Sequence, residues 1–340
     1  MRKIRETSGL PGMGRLTMTH VPIIGGGPAG MSCALWLANY GLNPVIVERE
    51  GALGGMARRN PYPNPWLLGR PDALARENAA EFARHIEAVG VETWLGCRPR
   101  RAERRADGGF RLDLVFSDRR PPRSLSCPIL VIATGTEFRG EDWLDSVPGA
   151  RELAAKGRVH LGPAWAGEPT AELGARVALI GGGDNAFDVA QLLSRKGVAV
   201  TIVMRSRTPR AQPLLVERAL ASPGPVSVRA QQTVAALADL GASVRVRLSG
   251  GSDLEVDHLV LLFGYQPNSG DPWLSELAPA TDANGYLCVD GNMETSCPGI
   301  FAVGDVANPR HPCTATAIAA GTMAAREIQR RIATTAVSTS

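Results

Sequence analysis

One glycine-rich turn occurs twice in the chain, as PIIGGGPAGMSC at 22–33 and as LIGGGDNAFDVA at 179–190, and this repeat constrains the fold more than any other feature. Around the first turn the order is an apolar strand, VPII, the turn GGGPAG, a segment with helical apolar spacing, MSCALWLANYG, and a second strand, NPVIVERE. Around the second it is ARVALI, GGGDNA, FDVAQLLSRKG and VAVTIVMRSR. Both are βαβ units, so the predicted fold is α/β with two Rossmann-like dinucleotide-binding domains. The 340 residues, 44% of them apolar, can supply a core for each. Few aromatics (5%) beside 38 Gly and 25 Pro suit sheet-and-turn architecture better than a helical bundle.

In the first turn Gly25, Gly27 and Gly30 fill the positions of GxGxxG, with Pro28 and Ala29 between the last two. The first glycine permits a tight turn, the second lets the backbone approach a pyrophosphate, and the third lets helix pack on strand. The phosphates then lie at a positive helix N-terminus. The decisive check is the end of the second strand, where Glu48 stands 23 residues after Gly25 and can accept hydrogen bonds from both ribose hydroxyls.

The same ruler applied to the second turn gives a different result. Gly181, Gly183 and Ala186 fill the three positions, with Asp184 and Asn185 between, but 23 residues after Gly181 lies Met204, followed by Arg205, Arg207 and Arg210. The ribose-reading acid is absent and guanidinium groups surround its place. An acid would repel a 2′-phosphate, whereas Arg grips one bidentately, so NADPH is expected in preference to NADH. Two dinucleotides on one chain point to hydride handed from one to the other, with FAD as the fixed carrier and the nicotinamide as the diffusing one.

In order along the chain, GGGPAG, Glu48, GALGGMA (51–57), LVIATG (130–135), GGGDNA, GYQPN (264–268) and GIFAVGDV (299–306) resemble the low-molecular-weight thioredoxin reductase superfamily over residues 18–334. The resemblance implies a discontinuous FAD domain (18–150 and 285–334) with the NAD(P)H domain (151–284) inserted. The polar, glycine-rich residues 1–17 read as a disordered extension and 335–340 as a tail, and VPG (147–149) and DANGY (282–286) look like the hinges of an insert that the resemblance makes rotate. By resemblance, Gly55, Met56, Ala133, Thr134, Gly135, Gly264, Gly304 and Asp305 join the cofactor-binding residues. Asp305 is expected at the ribityl or pyrophosphate region. Thr314 and Ala315, with Thr316, open a helix whose positive end is aimed at the flavin pyrimidine.

Thioredoxin reductases carry a redox-active CxxC after a VHxC stretch. Here the stretch reads RVHLGPAWAG (158–167), with Gly162 and Trp165 at the cysteine positions, so electrons cannot reach a disulfide by that route. The chain is similar in this to the thioredoxin-reductase-like ferredoxin/flavodoxin–NADP⁺ reductases, which lack the dithiol and flank the flavin with aromatic or His side chains. Tyr62, Trp165 and His311 are the candidates, while the polar tail ATTAVSTS offers no aromatic. Hydride transfer between stacked rings needs no acid or base, so no catalytic residue is assigned. The expected activity is electron transfer from NADPH through flavin to ferredoxin, flavodoxin, a quinone or a small molecule. Two alternatives stay open: disulfide chemistry through Cys313, at a helix start, and a flavin- or NADP-binding sensor.

The six cysteines are scattered without a CxxC spacing, so neither a disulfide framework nor a metal site is expected. A net charge of +4 is too small to argue for nucleic acid. The basic stretches CRPRRAERR (97–105) and DRRPPR (118–123) read either as a solvated hairpin edge or as a docking patch for an acidic electron-transfer protein. No apolar run approaches the roughly 18 residues of a membrane span. Residues 1–20 lack the apolar middle of a secretory signal, with Met13 and Met18 as alternative starts, so a cytoplasmic location is expected. The resemblance adds a homodimer.

Overall fold

The computed structural model describes residues 20–168 and 171–338, so the extension 1–17 lies outside the described residues, as do positions 339–340 of the tail. The chain opens with β1 (His20–Ile24), α1 (Pro28–Asn39) and β2 (Asn43–Glu48), then α2 (Gly55–Arg58), α3 (Ala75–Val89) and β3 (Glu92–Leu95). A meander follows, β4 (Cys97–Arg104), β5 (Phe110–Phe116) and β6 (Arg123–Cys127), and then β7 (Leu130–Ile132) and β8 (Thr136–Phe138). Next come α4 (Glu141–Ser146), α5 (Ala150–Ala155), β9 (Val159–Leu161), α6 (Ala164–Gly167), β10 (Arg176–Ile180), α7 (Asp184–Arg195), β11 (Ala199–Met204), α8 (Pro213–Leu220) and β12 (Val226–Ala230). A second meander, β13 (Val234–Asp239), β14 (Val244–Leu248) and β15 (Asp253–Val256), leads to β16 (His258–Leu261) and β17 (Tyr265–Pro267). The chain ends with α9 (Pro272–Ser275), β18 (Ile300–Ala302) and α10 (Thr314–Ser338).

Two five-stranded parallel sheets organise these elements, in the orders β18-β7-β1-β2-β3 and β12-β11-β10-β16-β9. Their central strands are buried at every residue after the first, as befits strands covered on both faces. On one face of the first sheet α1 packs against α10 so closely that a Cβ on Gly321 would lie 2.4 Å from the Ala29 carbonyl oxygen. The first meander covers the other face, with Phe110, Leu112 and Leu114 fully buried.

The joint between the two units differs from the hinges read in the sequence. The chain leaves the first unit along β8 and returns along β17, and these strands pair antiparallel from Thr136↔Pro267 to Phe138↔Tyr265. Backbone bonds extend the ribbon at both ends, from Arg139 N–H to the Gly264 oxygen (3.0 Å) and from Asn268 N–H to the Gly135 oxygen (2.9 Å). Val147–Gly149 instead packs against the second unit, with Val147 in its core. Leu237 N–H donates to the Pro148 oxygen (2.8 Å), and the left-handed Gly149 (φ 82°) brings its backbone onto residue 237. The 282–286 turn is fastened by its own Asp282 and by Ser269, whose hydroxyl donates to the Gly285 oxygen (2.5 Å). The cores divide accordingly: Leu144, Val147, Ala150 and Leu153 pack with the second sheet, whereas Trp273, Leu274 and Leu277 pack with the first.

The arginine-rich meander meets part of its charge within the chain. Arg101 pairs with Glu103 and Glu276, Arg111 with Asp113, Arg105 with Asp107 and Arg120 with Asp118. Arg104 and Arg123 lie over the rings of Phe110 and Trp94. Four of the nine arginines over 97–127 are thus paired with carboxylates along the solvated edge.

Candidate active site

A cavity of about 380 Å³ opens where the first glycine turn, the β7–β8 turn, the β8–β17 ribbon and the start of α10 converge. Gly25 (φ 117°) admits no side chain, because a Cβ there would lie 2.2 Å from the Ala133 oxygen. Gly27 meets only the Cα of Gly55, at 3.9 Å, so two glycine turns face each other backbone to backbone below the N-terminus of α1. That arrangement suits a pyrophosphate. Glu48 is buried, accepting from Gly26 N–H through Oε2 (2.6 Å) and from Glu50 N–H through Oε1 (2.8 Å). Fixed in this way, it lines the cavity with lone pairs left for ribose hydroxyls.

Gly135 (φ 65°) meets nothing within 4 Å and opens onto the same space. Its turn is locked by reciprocal bonds, Thr134 Oγ1 to the Asn268 oxygen and Asn268 Nδ2 to the Thr134 oxygen, both 2.8 Å. Asp305 carries the clearest sign of a missing partner. Its Oδ1 is buried with no hydrogen-bond partner, and burial pushes its pKa from 3.8 up to about 6. A hydroxyl-bearing ligand in the cavity would relieve that cost. The orphaned carboxylate, the side-chain-free turns and the anchored Glu48 together fit FAD.

Gly25, Gly27, Pro28, Ala29, Glu48, Gly55, Met56, Ala133, Thr134, Gly135, Asp305 and Thr314 all line this cavity. Gly30, Gly304 and Ala315 do not. Gly30 allows α1 to meet the first turn, since a Cβ there would lie 2.0 Å from the Gly25 oxygen. Gly304 (φ 77°) lets its own turn close onto Ala29.

The second turn lies beside the cavity without lining it. Gly181 (φ 149°) passes within reach of the Leu262 oxygen, and Gly183 meets nothing within 4 Å. Asp184 holds the following loop, accepting from Gln212 N–H (2.8 Å) and Gln212 Nε2 (3.3 Å), while Arg210 N–H donates to the Gly182 oxygen (2.8 Å). This brings the exposed Arg205, Arg207 and Arg210 around the turn, and none pairs with a carboxylate among the described residues. Ala186 is buried beneath the turn. Gly264 belongs to the inter-unit ribbon, where its carbonyl takes Arg139 N–H.

Of the three ring-flanking candidates only Tyr62 lines the cavity. His311 is exposed, and Trp165 stacks on His160 (centroids 3.9 Å apart, planes at 9°) in the turn that replaces the dithiol. Tyr265 and Phe138, with rings 5.1 Å apart, line the cavity without having been singled out. The GYQPN motif contained the signal for the first. Cys313 lines the cavity as a lone thiol, its Sγ 3.4 Å from Thr316 Oγ1, and all six cysteines are unpaired.

His160 Nε2 lies 3.1 Å from His258 Nδ1, and burial followed by repulsion from His258 lowers the His160 pKa from 6.5 to about 4. The unfolded ring binds its proton first. Stability from this site is therefore complete above pH 6.5 and falls as the pH drops toward 4, by up to about 2 kcal/mol after screening of the partly exposed ring. Urea midpoints at pH 7 and 4.5 should show this loss in the parent chain and a flatter profile in His160→Gln.

Fold and cradles define a two-dinucleotide flavoprotein, and comparison with known proteins agrees. The pyridine nucleotide-disulphide oxidoreductase family model matches residues 19–324, and the chain belongs to that family. It is an FAD-dependent NAD(P)H oxidoreductase that passes electrons to an external acceptor. A ferredoxin–NADP reductase of Limosilactobacillus fermentum is 32% identical over 298 residues, 84% of each chain. One from Ignicoccus hospitalis is 28% identical over 293 residues, 85% of this chain and 90% of that one. Lactococcus lactis thioredoxin reductase, in its FR conformation, has 26% identity and a TM-score of 0.77 over 91% of this chain and 97% of its own. No helix among the described residues is long and apolar enough to cross a membrane.

Proposed function

We propose that the protein is an NADPH-preferring reductase of a small iron–sulfur acceptor of the ferredoxin type. The observation that carries this reading is the pairing of a flavin cavity with a dithiol turn that holds no thiol: Pro163 and Ala164 line the cavity where a CxxC would exchange electrons. The names of the relatives support the acceptor class. The three arginines around the second turn support the phosphorylated nucleotide.

When bound, FAD supplies the exchange between a two-electron donor and one-electron acceptors. Per turnover NADPH loses a hydride, two acceptor molecules each gain one electron, and one proton is released. The chain's residues hold the parts in place. Glu48, Gly27 and Gly55 seat the adenosine and pyrophosphate, Asp305 accepts from the ribityl chain, and the loop at 205–212 grips the second nucleotide. The start of α10, at Thr314, directs its positive end to the ring system, where reduction builds negative charge. In place of the expected divisions at 150 and 285, the domains proposed for these tasks exchange the chain at the β8–β17 ribbon, a reading supported by Leu144, Val147 and Ala150 in the second core and Trp273, Leu274 and Leu277 in the first.

An anaerobic acceptor screen tests this reading. NADPH should bleach the flavin faster than NADH, and ferredoxin should restore the colour with catalytic turnover while disulfides do not. Persistent yellow colour under excess NADPH and NADH would sink the enzyme reading. Turnover with disulfides that disappears in Cys313→Ala would replace it with thiol chemistry. Homodimerisation, which the resemblance implies, and a cytoplasmic location remain part of this proposal, and sedimentation and cell fractionation read them directly.

A further inference from the structure

Two side chains on one loop of the first unit stand almost wholly in water. Trp66 is 85% exposed and Leu68 99%, whereas the other six large apolar residues exposed among those described lie between 40 and 53%. The two belong to the segment that joins α2 to α3, where Pro63 and Pro65 are exposed beside them. An apolar tip of this kind is costly to hydrate, and a bound surface would recover that cost.

The loop does not owe this exposure to a slack backbone. Asn64 N–H donates to the Ala73 oxygen (3.0 Å), Leu67 N–H to the Asn64 oxygen (3.2 Å) and Ala73 N–H to the Arg70 oxygen (3.3 Å), while Pro63 bridges to Leu74. Arg70 is tied to Glu81 of α3. The tip is thus held in a fixed place, and its root lies at the flavin cavity, which Asn60, Pro61 and Asn64 line.

A second loop takes root in the same cavity. Pro312 and Cys313 line it, and from them the chain leads back through His311 and Arg310, both exposed. Asn308 fastens this loop, accepting from His311 N–H through Oδ1 (3.3 Å) and donating to the His311 oxygen through Nδ2 (3.0 Å). Arg310 forms no ion pair among the described residues, and no acid occurs between Asp305 and Glu327. Beside the first loop guanidinium groups outnumber their partners: Arg58 and Arg59 share Glu50, and Arg70 and Arg84 share Glu81, with Asp72 the one acid on the loop itself.

We infer that the Trp66–Leu68 tip, together with Arg310 on the second loop, is the surface on which an acidic iron–sulfur acceptor docks. The inference rests on the reading of the chain as a reductase of ferredoxin-type acceptors and adds where the acceptor sits. Charge selects the occupant: the chain carries a net +4, the free charge on these loops is basic, and an apolar centre with a charged rim is the usual make-up of a protein–protein contact. Both loops begin at the cavity wall, so a protein seated on them lies over the flavin. A small neutral acceptor needs only the cavity, and the tip is irrelevant to it.

The test uses the FAD-loaded full chain, a purified acidic ferredoxin and benzoquinone as the small neutral acceptor. Trp66→Ser with Leu68→Ser should keep flavin bleaching by NADPH and benzoquinone turnover within about twofold of the parent, and lower kcat/KM for ferredoxin at least about tenfold. Arg310→Glu should lower it about fivefold at about 20 mM salt, a deficit that fades at about 0.5 M as the charges are screened. Ferredoxin turnover unchanged in the Trp66→Ser, Leu68→Ser protein overturns the inference, and so does an equal loss with benzoquinone, which marks a structural role. A parent dimer that the same two substitutions dissociate in sedimentation also overturns it, because a second copy then covers the tip. A parent that NADPH bleaches but that reduces no ferredoxin overturns the acceptor reading itself, and the docking surface falls with it.

Discussion

Replacing Gly27 with Val should give a folded protein that purifies without colour. Each of the first two glycines of the fingerprint answers to a different neighbour. A Cβ at Gly25 would strike the Ala133 oxygen at 2.2 Å, so substitution there attacks the sheet itself. A Cβ at Gly27 finds only Gly55 Cα at 3.9 Å, and Gly27 has φ −75°, which any residue adopts. The unliganded fold therefore tolerates Val at 27, while the branched side chain projects into the space that a pyrophosphate must enter. A clash of this kind costs about 3 kcal/mol or more, over a hundredfold in affinity. Far-ultraviolet dichroism should match the parent chain while the flavin absorbance disappears. A yellow Gly27→Val protein would show that the cavity holds something other than a dinucleotide.

The second large effect concerns the choice of nicotinamide cofactor. A Cβ on Gly26 would lie 3.3 Å from Glu48 Cβ, and one on Gly182 would lie 3.1 Å from Met204 Cβ, so Met204 occupies in the second unit the place that Glu48 occupies in the first. Met204→Glu, combined with Arg205→Ala and Arg210→Ala, should rebuild a hydroxyl-reading acid and remove two phosphate grips. Charge-assisted contacts contribute about 1.5–3 kcal/mol each, so the ratio of kcat/KM for NADPH to that for NADH should fall by at least about a hundredfold. Stopped-flow reduction with both nucleotides measures the ratio. An unchanged ratio would mean that the arginines only decorate the loop.

What could be read from the sequence followed the reach of the contacts. The paired fingerprints and Glu48 were legible because a glycine turn, a helix start and a strand end lie within one supersecondary unit and leave a fixed spacing, whereas Asp305 was reached only through the family resemblance. The hinges were misread because VPG and DANGY are turn-forming strings wherever they occur. Only the burial of Val147 in the second core and the close pass of Gly149 over residue 237 show that one of them is fastened to the second unit. Tyr62 was recognised as a ring near the flavin, but its bond to Pro163 spans 101 residues and joins two units, and no local pattern encodes it. Trp165 fell on a position that the resemblance assigns to sulfur, and its stacking on His160 is a property of this chain's own packing.

The antiparallel ribbon of β8 and β17 has a consequence for the gene as well as for the protein. Because the polypeptide departs and comes back along neighbouring strands, the intervening stretch of roughly 120 residues behaves as a cassette whose two ends nearly touch. A fragment cut at residues 139 and 264 retains every strand of the second parallel sheet, and a short glycine linker across the gap spares the other unit any rearrangement. Modular exchange of nucleotide specificity between related flavoproteins, by transplanting that single stretch, follows from the placement of two three-residue strands.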